Sequence, residues 1–164
     1  MAARLRVGLV SGTLLAAVLF TPRAPVLTAV MAPLDILTAK TTAAVVQAFG
    51  LEVAREGAVL SHPSGFAFEV YWRCTGLLPS VFLAGVILAS RGRPRAKAAG
   101  IAAGVLVVIA VNLVRLAHLF YLGVRHPAFF EIAHAVVWEG VGVLLVLGLW
   151  CGWMRWSDAL SAER

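Results

Sequence analysis

Cys74-Thr-Gly-Leu-Leu-Pro-Ser-Val-Phe-Leu-Ala-Gly-Val-Ile-Leu-Ala-Ser90 runs into Arg91-Gly-Arg-Pro-Arg-Ala-Lys97, and a second apolar run follows from Ala98 to Leu122. Two apolar stretches joined by a short basic loop read as two helices that cross a bilayer and turn in the cytoplasm. A crossing needs roughly 20 apolar residues, within a range of about 17–25. Four Lys/Arg in the seven positions 91–97 hold that loop on the cytoplasmic side. Two further runs, 5–21 and 133–153, meet the same length rule. The expected spans are therefore about four: 5–21, 74–90, 98–122 and 133–153. The first also has features of a signal peptide, with Arg4 and Arg6 before an apolar core. Its exit, Phe20-Thr-Pro-Arg-Ala-Pro25, has no small-x-small cleavage site, so retention is the expectation.

The composition agrees with lipid as the solvent. Of 164 residues, 61% are hydrophobic and 13% charged. A soluble domain has about 45–50% apolar and about 25% charged residues. A disordered chain, a disulfide scaffold and an ordinary cytosolic enzyme are excluded. The net charge of +6 sits mostly beside apolar runs, which indicates topology and anionic headgroups rather than nucleic acid. With 91–97 inside, both termini are expected in the cytoplasm, and 22–73 and 123–132 face outward.

The outer loop 22–73 carries structure of its own. Apolar residues at 34, 37, 44, 45 and 49, closed by Gly50, predict a helix at the membrane surface. Ala58–Ser61, His62-Pro-Ser-Gly65 and the alternating run Phe66–Arg73 predict a β-hairpin leading to Cys74. The fold expected is an all-α polytopic membrane protein, one domain over 1–164, with a surface helix and a short hairpin before the second span.

The two cysteines fall near opposite membrane faces, so they are not expected to pair. Cys151, in Leu-Trp-Cys-Gly-Trp, reads as a small apolar filler. Cys74 is placed at the first turn of a helix, where unpaired N–H groups and the helix dipole favour a thiolate. A buried structural cysteine is the plainer alternative. Arg115 lies inside an apolar span, and an intramembrane charge marks a functional site by default. Asn112, Arg115 and His118 share one helix face. Arg115 as an anchor that snorkels to the headgroups is the competing reading. His134 opens the last span, with Glu131 three residues earlier as a candidate to orient its ring. His62 and His126 each precede a proline and read as loop residues.

One topology, fixed by basic residues elsewhere, places Cys74, Arg115 and His134 at one depth on three helices. These side chains suit thiol acyl transfer. A thiolate attacks a carbonyl, an imidazole moves the proton, and a guanidinium stabilises the oxyanion. His118 remains a rival base. No HExxH or paired CxxC pattern offers a metal site, and no cofactor is expected.

The order Cys74-Thr-Gly-Leu, Asn112-Leu-Val-Arg115 and His134, each at a span's outer end, resembles the exosortase/archaeosortase family. The resemblance runs from about Val26 to Trp153. The runs Val111–Gly123 and Phe130-Glu-Ile-Ala-His134 with Val137-Trp138 are most similar to the short exosortase H-type branch. It implies a membrane-embedded, sortase-like cysteine protease/transpeptidase of the bacterial cytoplasmic membrane. It implies partners that are exported proteins ending in a short motif, a transmembrane helix and a basic cluster, and an acceptor for the new C-terminus. Carried over by motif, Cys74 is the nucleophile, Arg115 the transition-state stabiliser and His134 the acid/base. Asn112, Thr75, Gly76, Glu131 and His118 stand as supporting residues. Ala135 follows His134 where some branches have an acid, so the ring's orienting group is open between Glu131 and Glu69. The substrate's tail helix is expected to pack on small residues such as Gly100, Gly104, Gly140 and Gly142. The other functional class is a non-enzymatic assembly or transport subunit with a polar path around Asn112 and Arg115.

Overall fold

The computed structural model describes residues 25–162, with side chains from 29 to 158. The span expected at 5–21 lies outside the described residues. The chain divides into two units, 1–31 and 32–164, and the contacts below are those of the second. The elements are α1 (Pro25–Ala48), β1 (Ala54–Glu56), β2 (Val59–Ser61) and β3 (Ala67–Glu69), then a 3-10 turn at Trp72–Cys74, α2 (Leu77–Ala89) and α3 (Pro94–Arg125). After a 3-10 turn at Pro127–Phe129, one helical turn at Phe130–Ile132 and a π turn at Ala133–Val137 lead into α4 (Trp138–Ala162).

Three of the described helices are long and apolar enough to cross a membrane: Ala29–Ala48, Pro94–Arg125 and Pro127–Asp158. Two of them contain the expected spans 98–122 and 133–153. The other two assignments differ from expectation. The run read as span 74–90 gives only the 13-residue α2, about 20 Å at 1.5 Å per residue. Its first residues are taken by the 3-10 turn and by Gly76, whose φ of +81° keeps it out of the helix. The segment read as a surface helix is the C-terminal part of the longer helix α1. Leu37 and Phe49, placed on its apolar face by spacing, are 57% and 84% exposed. The buried face is Asp35, Thr38, Ala39, Thr42, Ala43 and Val46. Ala39, Ala43 and Val46 of this face pack in a buried cluster with Leu60, Val70 and Phe120. The threonines conceal their polarity, since Thr38 and Thr42 donate to the carbonyls of Leu34 and Thr38, four residues back, at 2.8 Å each.

The strands form an antiparallel meander in the order β1-β2-β3. Leu60 stands opposite Phe68, and a turn closes through Gly65 N–H to His62 O at 3.0 Å. Along the run that follows, Val70 and Trp72 are buried while Glu69 and Tyr71 are exposed. Below the sheet, Leu60 and Val70 join Ala39, Ala43 and Val46 of α1, Leu116 and Phe120 of α3, and Cys74 in one buried cluster. Gly123 gives room for Phe66, whose ring occupies the space a Cβ would need.

At the opposite end, α2, α3 and α4 are tied by their polar atoms. Trp153 Nε1–H donates to Ala96 O at 3.0 Å, Trp150 Nε1–H to Ser90 Oγ at 3.0 Å, and Lys97 Nζ to Leu88 O at 2.8 Å. Arg91, Arg93 and Arg95 are exposed beside them. Large apolar side chains such as Leu106 and Leu144 face outward from α3 and α4. That is the surface a bilayer covers.

Candidate active site

The backbone at Cys74 is held from three sides. Its own N–H donates to Tyr71 O at 2.6 Å. Thr75 Oγ1 donates to Trp72 O at 2.7 Å. From α3, Asn112 Nδ2 donates to Cys74 O at 2.8 Å, a buried bond linking residues 38 apart. Gly76 follows in the left-handed region, where a side chain costs about 1–2 kcal/mol. A Cβ there would also sit 3.3 Å from Asn112 Cβ. The three residues after Arg73 thus form a rigid turn above α2, with Cys74 buried at its head.

The thiol's surroundings differ from those expected. A helix N-terminus at Cys74 would lower its pKa, but α2 begins only at Leu77. Burial pushes the Cys74 thiol up, a backbone hydrogen bond from Tyr71 and the Arg115 guanidinium pull it back, and the Glu139 and Asp35 carboxylates push it up again. Neutral thiol is favoured at rest, so the nucleophile must lose a proton during the reaction.

Arg115 lies on α3 one residue from Leu116, which packs in the Cys74 cluster. Its Nη2 bonds Glu139 Oε1 of α4 at 2.9 Å, with Arg115 15% and Glu139 64% exposed. Its Nε is buried without a partner. A groove between α2, α3 and α4 opens beside it, lined by Pro79, Asn112, Trp138 and Gly142 among others. Arg115 is therefore held by a carboxylate rather than snorkelling alone. Asn112, expected to support Arg115, instead fixes the turn of the cysteine.

His134 lies within the π turn, where Trp138 N–H reaches Ala133 O, five residues back. Such turns widen a helix locally and concentrate at functional sites. The His134 ring stacks on Phe130 at 5.8 Å between centroids. Phe130 in turn meets Phe66 at 5.4 Å and Phe68 at 6.5 Å, and Phe66 and Phe68 pack against the Cys74 cluster. A chain of aromatic contacts thus links the imidazole to the cluster that holds Cys74, and no hydrogen bond joins imidazole and thiol. Neither Glu131 nor Glu69 is bonded to the His134 ring. Among the described residues Glu131 makes no side-chain hydrogen bond, and Glu69 lies near Asp35. His118 Nδ1 accepts from Trp138 Nε1–H at 3.1 Å, which occupies that ring nitrogen. His62 Nδ1 accepts from Ser64 N–H at 3.0 Å in the β2–β3 turn.

Two acidic residues escaped the sequence reading. Glu139 is a carboxylate inside an apolar run, the same signal that singled out Arg115. Asp35 was hidden in a segment read as an outer surface helix. Cys151 is exposed on α4, so it does not fill a core gap. Of the small residues expected to seat a substrate helix, Gly100 lies under the Trp153 ring and Gly104 under Leu83, while Gly140 and Gly142 are open.

The family model described as transmembrane exosortase matches residues 3–154. The chain belongs to the transmembrane exosortase family. As an exosortase it is a multi-pass membrane protein of a family associated with sortase-like processing. Among curated proteins and solved structures, nothing matches the chain.

Proposed function

We propose that this exosortase is a cysteine protease/transpeptidase that cuts the C-terminal sorting tail of exported proteins at the outer face of the cytoplasmic membrane. One observation carries the reading. Within a family of sortase-like enzymes, the one buried cysteine sits on a turn clamped by Asn112, with the Arg115 guanidinium among its electrostatic neighbours. In this reading the Cys74 thiolate attacks the scissile carbonyl, and Arg115 stabilises the oxyanion of the tetrahedral intermediate. The leaving amine departs with a proton, and a thioester remains. Water or an acceptor nucleophile then attacks the thioester and restores the thiol. His134 is the proposed acid/base. Its ring nitrogens make no hydrogen bond among the described residues and are available for proton exchange. Glu139 positions Arg115 through their ion pair.

The four basic residues of loop 91–97 support a cytoplasmic α2–α3 turn and, with it, an outward Cys74. A substrate with a basic cluster after its tail helix is oriented the same way, which presents its motif to Cys74. A transport path around Asn112 and Arg115 has less support, since Asn112 is bonded to the backbone and Arg115 to Glu139.

The test is co-expression with a tail-bearing exported protein encoded nearby in the genome, following substrate size on a gel. Wild type shortens the substrate, whereas Cys74→Ala, Arg115→Ala and His134→Ala leave it intact and His118→Ala still shortens it. Processing by Cys74→Ala overturns the nucleophile assignment and favours a non-enzymatic subunit.

A further inference from the structure

Among the described residues, two buried side-chain polar atoms lack any hydrogen-bond partner: Arg115 Nε, a donor, and Asp35 Oδ1, an acceptor. Such groups are rare because each gives up its bonds to water with no replacement. Both belong to the surroundings of Cys74. Arg115 and Asp35 are two of the three charged side chains whose fields reach its thiol. Asp35 heads the buried face of α1. Ala39, one turn further along that face, packs in the same cluster as Cys74. Asp35 is 5% exposed and forms no ion pair among the described residues. Its charged neighbours are Glu69 and Cys74.

A peptide in extended form offers the complementary pair. Each residue carries one N–H and one C=O, and both need partners once they leave water. We infer that Asp35 is a substrate-positioning residue whose free carboxylate oxygen accepts a backbone N–H of the segment to be cut, while Arg115 Nε–H donates to a backbone C=O, so that the chain is laid across Cys74. The inference rests on the protease reading and extends it. One acceptor and one donor on opposite helices, α1 and α3, fix the register of the peptide. A bond made to every peptide backbone gives affinity without choosing among side chains, so the sorting motif is read elsewhere. In the empty enzyme the two orphan groups lower stability, and substrate repairs both.

The full-length protein tests this with the same tail-bearing substrate, through three variants and two readouts besides rate. Asp35→Leu keeps the branching of the side chain, with methyls in place of the oxygens, and removes the acceptor. Asp35→Asn keeps an acceptor oxygen. Expected for Asp35→Leu are a raised Tm, because an unsatisfied group is gone, and a KM higher by about tenfold, as for one lost hydrogen bond. Asp35→Asn recovers most of the KM. In a Cys74→Ala background, which retains uncut substrate on purification, Asp35→Leu lowers the retained substrate by a similar factor.

An unchanged KM and unchanged retention in Asp35→Leu overturn the inference and assign the orphan oxygen to water. A lowered Tm with equal losses in Asp35→Leu and Asp35→Asn also overturns it, in favour of a purely structural role. Processing by Cys74→Ala sinks the protease reading instead, and the KM of Asp35→Leu beside that of the wild type then reports on Asp35 by itself.

Discussion

The two ends of the helical bundle handle their polar atoms differently. At the Arg91–Lys97 end, two indoles and an ammonium find acceptors: Trp153 in Ala96 O, Trp150 in Ser90 Oγ, Lys97 in Leu88 O. At the Cys74 end, Arg115 Nε and Asp35 Oδ1 have no partner, and the His134 ring only stacks on Phe130. Both ends are tightly built, so the contrast is one of bonding capacity. The first end uses it to fasten helices together. The second clamps the backbone of Cys74 and leaves side-chain capacity in reserve. Substitutions at the two ends should therefore separate stability from activity.

The largest separation is expected at Cys74. Cys74→Ala should lower processing by about a thousandfold or more, as removal of a nucleophile does, with little change in Tm. Arg115→Lys comes next. A lysine keeps the charge but loses the planar fork that holds Glu139 and presents Nε. Loss of one oxyanion donor costs about 100-fold or more in kcat, so processing should fall by that order in a single-turnover assay. A Lys variant with wild-type kcat would break the contrast, because charge alone would then suffice.

Asn112→Ala should act on both measures. It leaves Cys74 O buried without its donor, which costs about 1–3 kcal/mol of stability. It also loosens the turn that aims the thiol, so processing should fall further than the loss of folded protein explains. Denaturant unfolding in micelles read beside the rate decides between the two.

The thiol itself gives a smaller, directional effect. Burial holds the Cys74 pKa up, so its alkylation by iodoacetamide should be slow at neutral pH and rise with pH through the range where the raised pKa lies. The Glu139 carboxylate pushes that pKa up, so Glu139→Gln should speed alkylation at fixed pH. Cys151→Ser in all samples leaves Cys74 as the sole thiol. A slower Glu139→Gln reaction would mean that Arg115, released from its partner, no longer faces the thiol.

What the sequence made legible follows from the range of each signal. α3 and α4 could be read because their apolar runs are long, mean hydropathy being 2.2 and 2.0 in their best windows. The family motifs were readable because Cys74, Asn112, Arg115 and His134 each stand out inside apolar surroundings. The reading of 34–49 missed that α1 is longer and apolar enough to cross a membrane, because its buried face is polar or small, and polarity satisfied by the helix's own carbonyls looks like exposure. α2 was read too long because a left-handed Gly76 cannot be told from a helical glycine by hydropathy. Pairings between helices, Asn112 with Cys74 O and Arg115 with Glu139, depend on rotations about helix axes that no local pattern encodes. Glu139 was within reach by the rule applied to Arg115, and Asp35 was not, since its segment was assigned to the loop.

The smallest expected effect is at the fastened end, and it tests the contrast from the other side. Trp150 Nε1–H donates to Ser90 Oγ, and Ser90 Oγ itself donates to Val86 O at 2.7 Å. Trp150→Phe removes the first bond without orphaning the serine, which keeps its own acceptor. The loss is then that of one neutral, partly buried hydrogen bond, about 0.5–1.5 kcal/mol, and Tm should fall by a few degrees. Processing per folded molecule should stay at the wild-type rate, because the Cys74 turn is held by Tyr71, Trp72 and Asn112 and by nothing on this side of α2. A rate that falls while the folded fraction does not would show that the fastened end sets the geometry at Cys74 through the length of α2, and the division of labour between the two ends would have to be abandoned.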